Sequence, residues 1–323
     1  MQQYATTVCG PVPVEKLGKT LVHEHVLFGY PGCLGDVTCA PRYDREAIIN
    51  RSVELLTHLR ESYGLGTIVD ATPNDCSRDA VLLRDISERS GVNILCSCGY
   101  YYEGEGATAY YRFRALLGDA DKEIYEMMKT EATVGIAGTG IKAGVFKLAS
   151  SENIITDYEK RFFVAAARVS AETGTPIITH TQAGTMGPQQ AELLLANGAQ
   201  PGKIMIGHVE GNTDIRYLLK ILESGVFIGF DRFGLENFAG SPSDAVRVAC
   251  IVALVRSGYG NRIMLSHDSI YNWIGKPLDV TSPLHPEIVF KQAVPALLAA
   301  GLTDAEVNTL LVDNPQHFLS STL

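Results

Sequence analysis

Two hydrophobic rhythms alternate along this chain. Short runs rich in Val, Ile, Leu and Thr are followed by longer stretches whose apolar residues recur every three to four positions. The first rhythm is that of a strand buried on both faces, the second that of an amphipathic helix. Strands are predicted over residues 20–26, 67–71, 93–98, 144–148, 176–180, 203–208, 225–230 and 262–268. Helical stretches fill the gaps, for example 45–63, 157–173, 189–197 and 243–258. Glycines punctuate the helix ends: Gly174 before Pro176, Gly198 before Lys203, Gly258 before Arg262. Eight such alternations in 323 residues predict an α/β chain folded as a (β/α)8 TIM barrel, a single domain over 1–323. The rival, an open doubly wound sheet, would carry a Gly-rich phosphate turn after its first strand, and none follows Val26.

A barrel places its chemistry at the C-terminal ends of its strands. His23 and His25 close the first predicted strand. Residues two apart on a strand share a face, so both imidazoles project together, as ligands of one metal ion do. His180 and His208 are the last residues of the fifth and sixth strands, and Asp268 ends the eighth. Five potential ligands therefore end four strands. Lys147 adds a sixth, on the fourth strand, where apolar residues are expected. An ammonium buried beside cations loses its proton. The neutral amine can then add carbon dioxide, giving a carbamate whose two oxygens can bridge two metals. Lys142 is the competitor, but it has the opposite parity and lies nearer the barrel bottom. Asp231 follows the seventh strand and faces the same mouth. Glu24 and His267 have the wrong parity for the metals, and His58, His285 and His317 fall in helices or loops, as surface or packing residues.

Composition narrows the partners. The net charge of −9, with no Lys/Arg block, argues against nucleic acid or an anionic membrane as a partner. No apolar run approaches the ~20 residues of a membrane helix, and the N-terminus lacks a signal-peptide pattern. Seven cysteines, odd in number and without a C-x-x-C pair, indicate neither a disulfide framework nor a zinc ribbon. A reduced, cytoplasmic compartment is expected.

The ordered set His-x-His, Lys, His, His, Asp resembles the amidohydrolase superfamily. It resembles most closely the phosphotriesterase family and, within it, the phosphotriesterase-like lactonases. The likeness is carried by Leu-Gly-Lys-Thr-Leu-Val-His-Glu-His (17–25), Gly-Thr-Gly-Ile-Lys-Ala-Gly (138–144), Phe-Asp-Arg-Phe-Gly (230–234), Leu-Ser-His-Asp (265–268) and Asp-Asn-Pro (313–315), and it spans nearly the whole chain. The resemblance implies two divalent metal ions, zinc first, with cobalt, manganese or iron as alternatives. His23, His25 and Asp268 would hold the buried ion, His180 and His208 the exposed one, with N6-carboxylated Lys147 and a hydroxide between them. It implies Asp268 as proton acceptor, Asp231 as a relay behind it, and Arg232 and Tyr101 positioning the substrate. Tyr100 and Trp273 are further substrate contacts. Residues 282–286 stand where the lactonases shape an acyl-chain pocket. A small lactone, acyl-homoserine or simple γ/δ, ranks first as substrate. A phosphotriester ranks second, another ester or amide third, and a catalytically inactive binding barrel last. A homodimer is expected by family analogy.

Overall fold

The computed structural model describes residues 2–40, 42–236, 241–276 and 285–321. An antiparallel hairpin of β1 (Tyr4–Thr7) and β2 (Gly10–Pro13) precedes the main sheet. The sheet strands are β3 (Lys19–His25), β4 (Leu65–Asp70), β5 (Asn93–Gly99), β6 (Val145–Ser150), β7 (Ile177–Thr181), β8 (Ile204–Ile206), β9 (Phe227–Phe230), β10 (Ile263–Leu265) and β11 (Ser269–Ile270). They pair in parallel in the order β10-β9-β8-β7-β6-β5-β4-β3-β11. Since β10 and β11 are two pieces of one chain run, the order returns on itself as a (β/α)8 barrel. Ser266 between them bridges the seam: its Oγ accepts the His23 N–H at 3.0 Å and donates to Glu24 at 2.6 Å.

Helices α1 (Arg45–Tyr63), α2 (Ala80–Ser90), α3 (Thr108–Leu117), α4 (Ala120–Thr133), α5 (Asp157–Thr173), α6 (Gly187–Ala196), α7 (Ile215–Leu222) and α8 (Asp244–Leu254) fill the strand-to-strand gaps, two of them between β5 and β6. Local sequence sets their ends. Asp44 caps α1 by accepting the Ala47 N–H, and Gly64 ends it at φ 73°. Thr156 and Glu159 form a capping box on α5.

Two buried layers result. Val22, Val69, Leu95, Val145, Ile178, Met205, Phe227 and Met264 fill the barrel interior, and Phe318 and Leu319 pack at its lower end. The outward-facing strand residues pack against the helices.

Three expectations about strand ends are corrected. Lys147 does not end its strand, because β6 continues to Ser150; it stands two residues above Val145 of the inner layer. His208 and Asp268 lie beyond β8 and β10, on left-handed residues with φ 55° and 58°. A non-glycine residue there costs roughly 1–2 kcal/mol. That turn, rather than strand alternation, aims both side chains into the mouth. The first strand also departs from simple alternation. Its register against β4 shifts between Leu21 and Glu24. Val22 packs inside while its neighbour His23 also faces inward, as a bulge allows.

Candidate metal centre

Six predicted ligands stand on five strands or the turns just past them, and all are buried or nearly so. His23 Nε2 lies 2.5 Å from Lys147 Nζ and 3.5 Å from Asp268 Oδ1. His25 Nε2 lies 3.0 Å from the same Oδ1, and His208 Nε2 3.6 Å from Asp268 Oδ2. The His180 and His208 rings meet edge to face at 4.7 Å. Lys142 is exposed and outside the strand.

The partners of each imidazole determine its tautomer. Asp231 Oδ2 takes the Nδ1–H of His23 and Oδ1 that of His208, each at 2.8 Å; Oδ1 also accepts the His208 backbone N–H at 2.8 Å. Thr72 Oγ1 gives its proton to the Leu27 carbonyl, so it accepts from His25 Nδ1 at 2.9 Å. The Gln182 side-chain oxygen accepts from His180 Nε2 at 2.7 Å. The lone pairs therefore sit on Nε2 of His23 and His208 and on Nδ1 of His180, while His25 Nε2 also lies within hydrogen-bond distance of Asp268 Oδ1, at 3.0 Å. Such partners orient metal-binding histidines generally. The arrangement also explains Gly207: a Cβ there would lie 2.8 Å from Asp231 Oδ2 and 3.4 Å from His23 Nδ1.

The donor set fits a metal. Ring nitrogens of His23 and His208 and the Asp268 carboxylate converge, and His208 Nε2 is buried without a hydrogen-bond partner. His23, His208 and Asp268 offer ligand atoms within 4.8 Å of one another. Nitrogen and oxygen donors without sulfur suit zinc, cobalt, manganese or iron.

Electrostatics follow from burial. Burial, with Lys147 and His208 adding, drives His23 down to about 3. His180 and His208 are lowered too, by burial first. Burial lowers Lys147 to about 8 against the pull of Asp268 and Asp231. Burial alone would raise Asp231 and Asp268. The facing histidines, with Arg232 beside Asp268, outweigh it and hold both carboxyls well below the usual range. Burial and the Asp231 charge push Glu210 up to about 8, with Arg247 opposing.

The three histidines make acid sensitivity a testable consequence. Their folded pKa values lie below the ordinary 6.5, so in acid the unfolded chain binds protons that the folded one excludes. This stability is complete above about pH 6.5 and is lost as the pH falls toward the folded values. The melting temperature of metal-free protein is expected to drop steadily from pH 7 to pH 4; a flat profile would contradict the assignment.

Around the ligands the placements diverge from expectation in two ways. Tyr101 packs edge-on against His180, with centroids 5.1 Å apart, and its N–H is held by Asp75. Tyr100, one residue earlier, points the other way, stacking on Phe162 of α5 at 5.0 Å and meeting Tyr111 of α3. It therefore packs against the helices rather than at the mouth. Tyr102 instead lies parallel to His180 at 5.6 Å. Asp231, expected as a relay behind Asp268, meets His23 and His208 with its two oxygens, and its geometry is that of a group that orients both rings.

Arg232 Nε donates to Asp268 Oδ2 at 2.9 Å. Trp273 joins Phe28 and Tyr30 in an aromatic wall, and Phe28 touches His25 at 5.3 Å. Residues 282–284 of the expected acyl-chain loop lie outside the described residues. Glu24 and His267 turn away from the metals, as their parity predicted. Glu24 accepts the N–H groups of His267 and Ser269 at the barrel seam. Thr72, Gln182, Phe28 and Tyr30 carried no sequence signal, because each is recognised only by what it touches.

The phosphotriesterase family model matches residues 3–319. An organophosphorus hydrolase from Deinococcus radiodurans is 52% identical, with a TM-score of 0.95, covering 98% of this chain and 96% of that one. A mutant of a PTE-like lactonase from the same organism is 51% identical over 98% of this chain and 99% of that one, again at 0.95. The aryldialkylphosphatase of Saccharolobus solfataricus is 31% identical over 94% of this chain and 95% of its own length. With the barrel, the converging ligands and these matches together, the chain belongs to the phosphotriesterase family.

Proposed function

We propose that the protein is a two-metal hydrolase of ester bonds, a lactonase first, with phosphotriester hydrolysis as a secondary activity. The observation that carries the metal reading is the set of oriented, unprotonated ring nitrogens around the orphaned His208 Nε2. His23, His25 and Asp268 would hold one ion, His180 and His208 the other. Lys147, lowered to about 8, would join both as its carbamate: amine plus carbon dioxide gives the carbamate anion and one proton. When bound, such a pair polarises the substrate oxygen and supplies hydroxide at neutral pH.

The chain's own groups do the rest. Asp268, kept ionised, stands ready to accept a proton at the mouth. Arg232 fixes one of its oxygens and, being a permanent cation, cannot carry the proton onward. A proton taken by Asp268 can return to the substrate or leave to solvent. A lactone suits the first route, because its leaving alkoxide stays tethered in the same molecule. Tyr101 packs over His180, and Phe28, Tyr30 and Trp273 offer an apolar wall to a substrate tail.

The two neighbours named a lactonase and an organophosphorus hydrolase support both activities, in an order that kinetics must test. Metal-loaded protein should be assayed on lactones of varied ring and acyl length, paraoxon-like triesters and aryl esters. Lactones are expected to give the highest kcat/KM; triesters leading by orders of magnitude would reverse the ranking. Metal analysis near two ions per chain is expected, and none after metal-replete expression would favour an inactive barrel.

A cytoplasmic location is the companion reading, supported by seven free cysteines. No helix among the described residues is long and apolar enough to cross a membrane. A homodimer is the proposed assembly. Tyr110, Phe113, Leu116 and Leu117 expose an apolar face of α3 that self-association would cover. A solution mass near twice 35.0 kDa is expected, and one near 35.0 kDa would exclude the dimer.

A further inference from the structure

Arg247 is the bulkiest fully buried side chain among the described residues, yet it is remote in sequence from every ligand. A guanidinium is costly to bury, so its contacts repay inspection. It sits on the first turn of α8. Its Nη1 donates to Asp244 at 2.5 Å and its Nη2 to the Leu235 carbonyl at 2.8 Å. Its Nε lies 3.9 Å from Glu210 Oε1. Glu210 in turn accepts the backbone N–H of Arg232 at 2.6 Å, and Asp244 accepts that of Gly234 at 3.0 Å. Three backbone groups within four residues are thus held, at 232, 234 and 235: the last by Arg247 itself, the other two by Glu210 and Asp244, with which Arg247 pairs. The segment so gripped begins with Arg232, which fixes Asp268, and directly follows Asp231, which orients two imidazoles.

We propose that Arg247, with Glu210 and Asp244, is a positioning residue that sets Arg232 against Asp268 from behind the mouth. It touches neither metal ligand nor substrate and acts through the backbone of 232–235. The geometry distinguishes this role from ordinary helix packing. A buried guanidinium must be hydrogen-bonded wherever it sits; here its partners are the carbonyl of the 232–235 loop and the carboxylates that accept that loop's N–H groups. The functional part of the proposal rests on the reading that Arg232 faces the substrate; the gripping of the loop does not.

Arg247→Met keeps the stem and removes the charge; Arg247→Lys keeps a charge with fewer donors. Two measurements on metal-loaded protein decide the matter. Hydrogen exchange is expected to accelerate at the Arg232 and Gly234 amides in Arg247→Met, less so in Arg247→Lys. On the best panel substrate, Arg247→Met is expected to lose about 10²-fold in kcat/KM, the scale of a small displacement of a positioning group. In an Arg232→Ala background the same change should add little, because residues acting through one another are not additive.

Unchanged amide exchange, or an undiminished loss in the Arg232→Ala background, would overturn the proposal. Should Arg247→Met fail to fold, Asp244→Ala releases the same loop N–H from a partly exposed position and carries both measurements. If the wild type turns over nothing in the panel, the functional reading fails while exchange still decides whether the clamp exists.

Discussion

Lys147→Ala is expected to eliminate nearly all hydrolysis and most of the bound metal. The side chain is 1% exposed, and its nitrogen lies against His23 Nε2, in the middle of the ligand set. Burial already weakens its hold on the proton, bringing it to about 8, so a fraction is neutral and reactive at physiological pH. As a carbamate it would be the one ligand shared by both proposed ions. Removing it should cost more than the roughly 10–100-fold that follows loss of a ligand's supporting partner. Metal per chain and kcat/KM read the effect together. A companion measurement uses unaltered protein: metal-free chain reloaded without carbon dioxide should regain little activity until bicarbonate is added. A folded Lys147→Ala protein with two metals and near-normal turnover would remove the carbamate from the mechanism.

Asp231→Asn is the second large effect. The substitution is nearly isosteric, so the fold should survive. One carboxylate now receives two Nδ1–H groups and one backbone N–H, all at 2.8 Å. An amide has a single oxygen, so its NH2 must face one of the two rings. That ring can satisfy the NH2 only by moving its proton to Nε2, the atom aimed at the metals. On the proposed assignment, His23 and His208 serve different ions, so both would depend on this one side chain. Metal affinity or turnover is expected to fall by at least 10–100-fold. Chelator competition measures the first and kcat/KM the second. Retention of both at wild-type level would mean that the imidazoles are oriented by the barrel alone.

Much of the centre was legible in the chain because its ligands obey strand geometry. His23 and His25 are two apart, and His180 and Lys147 each stand two residues above an inner-layer residue, Ile178 and Val145. Periodicity alone puts such residues on one side of a sheet. His208 and Asp268 were found by place in the sequence, near a strand end, although the strands stop short of them. What aims them is a positive φ at each, which no hydropathy pattern encodes. Tyr100 misled for a related reason. A run of three tyrosines after β5 looks equivalent in sequence, but the chain turns them in different directions, and only Tyr101 and Tyr102 meet His180.

By itself, then, the sequence determined the eight-fold alternation, the barrel and the six candidate ligands, because all three are written in local spacing and in the types of residue at or near strand ends. The tertiary structure decided which partner each imidazole meets, which carboxylate lies behind the histidines and which lies among them, and what contacts the Arg232 loop. Thr72 serves His25, Gln182 serves His180, Asp231 serves both His23 and His208, and Arg247 reaches Leu235. Most of these pairs are separated by tens to hundreds of positions, so their partnership exists only once the barrel closes. Hydrogen bonds are fixed by distance and direction in space, and no spacing rule along a chain reports either.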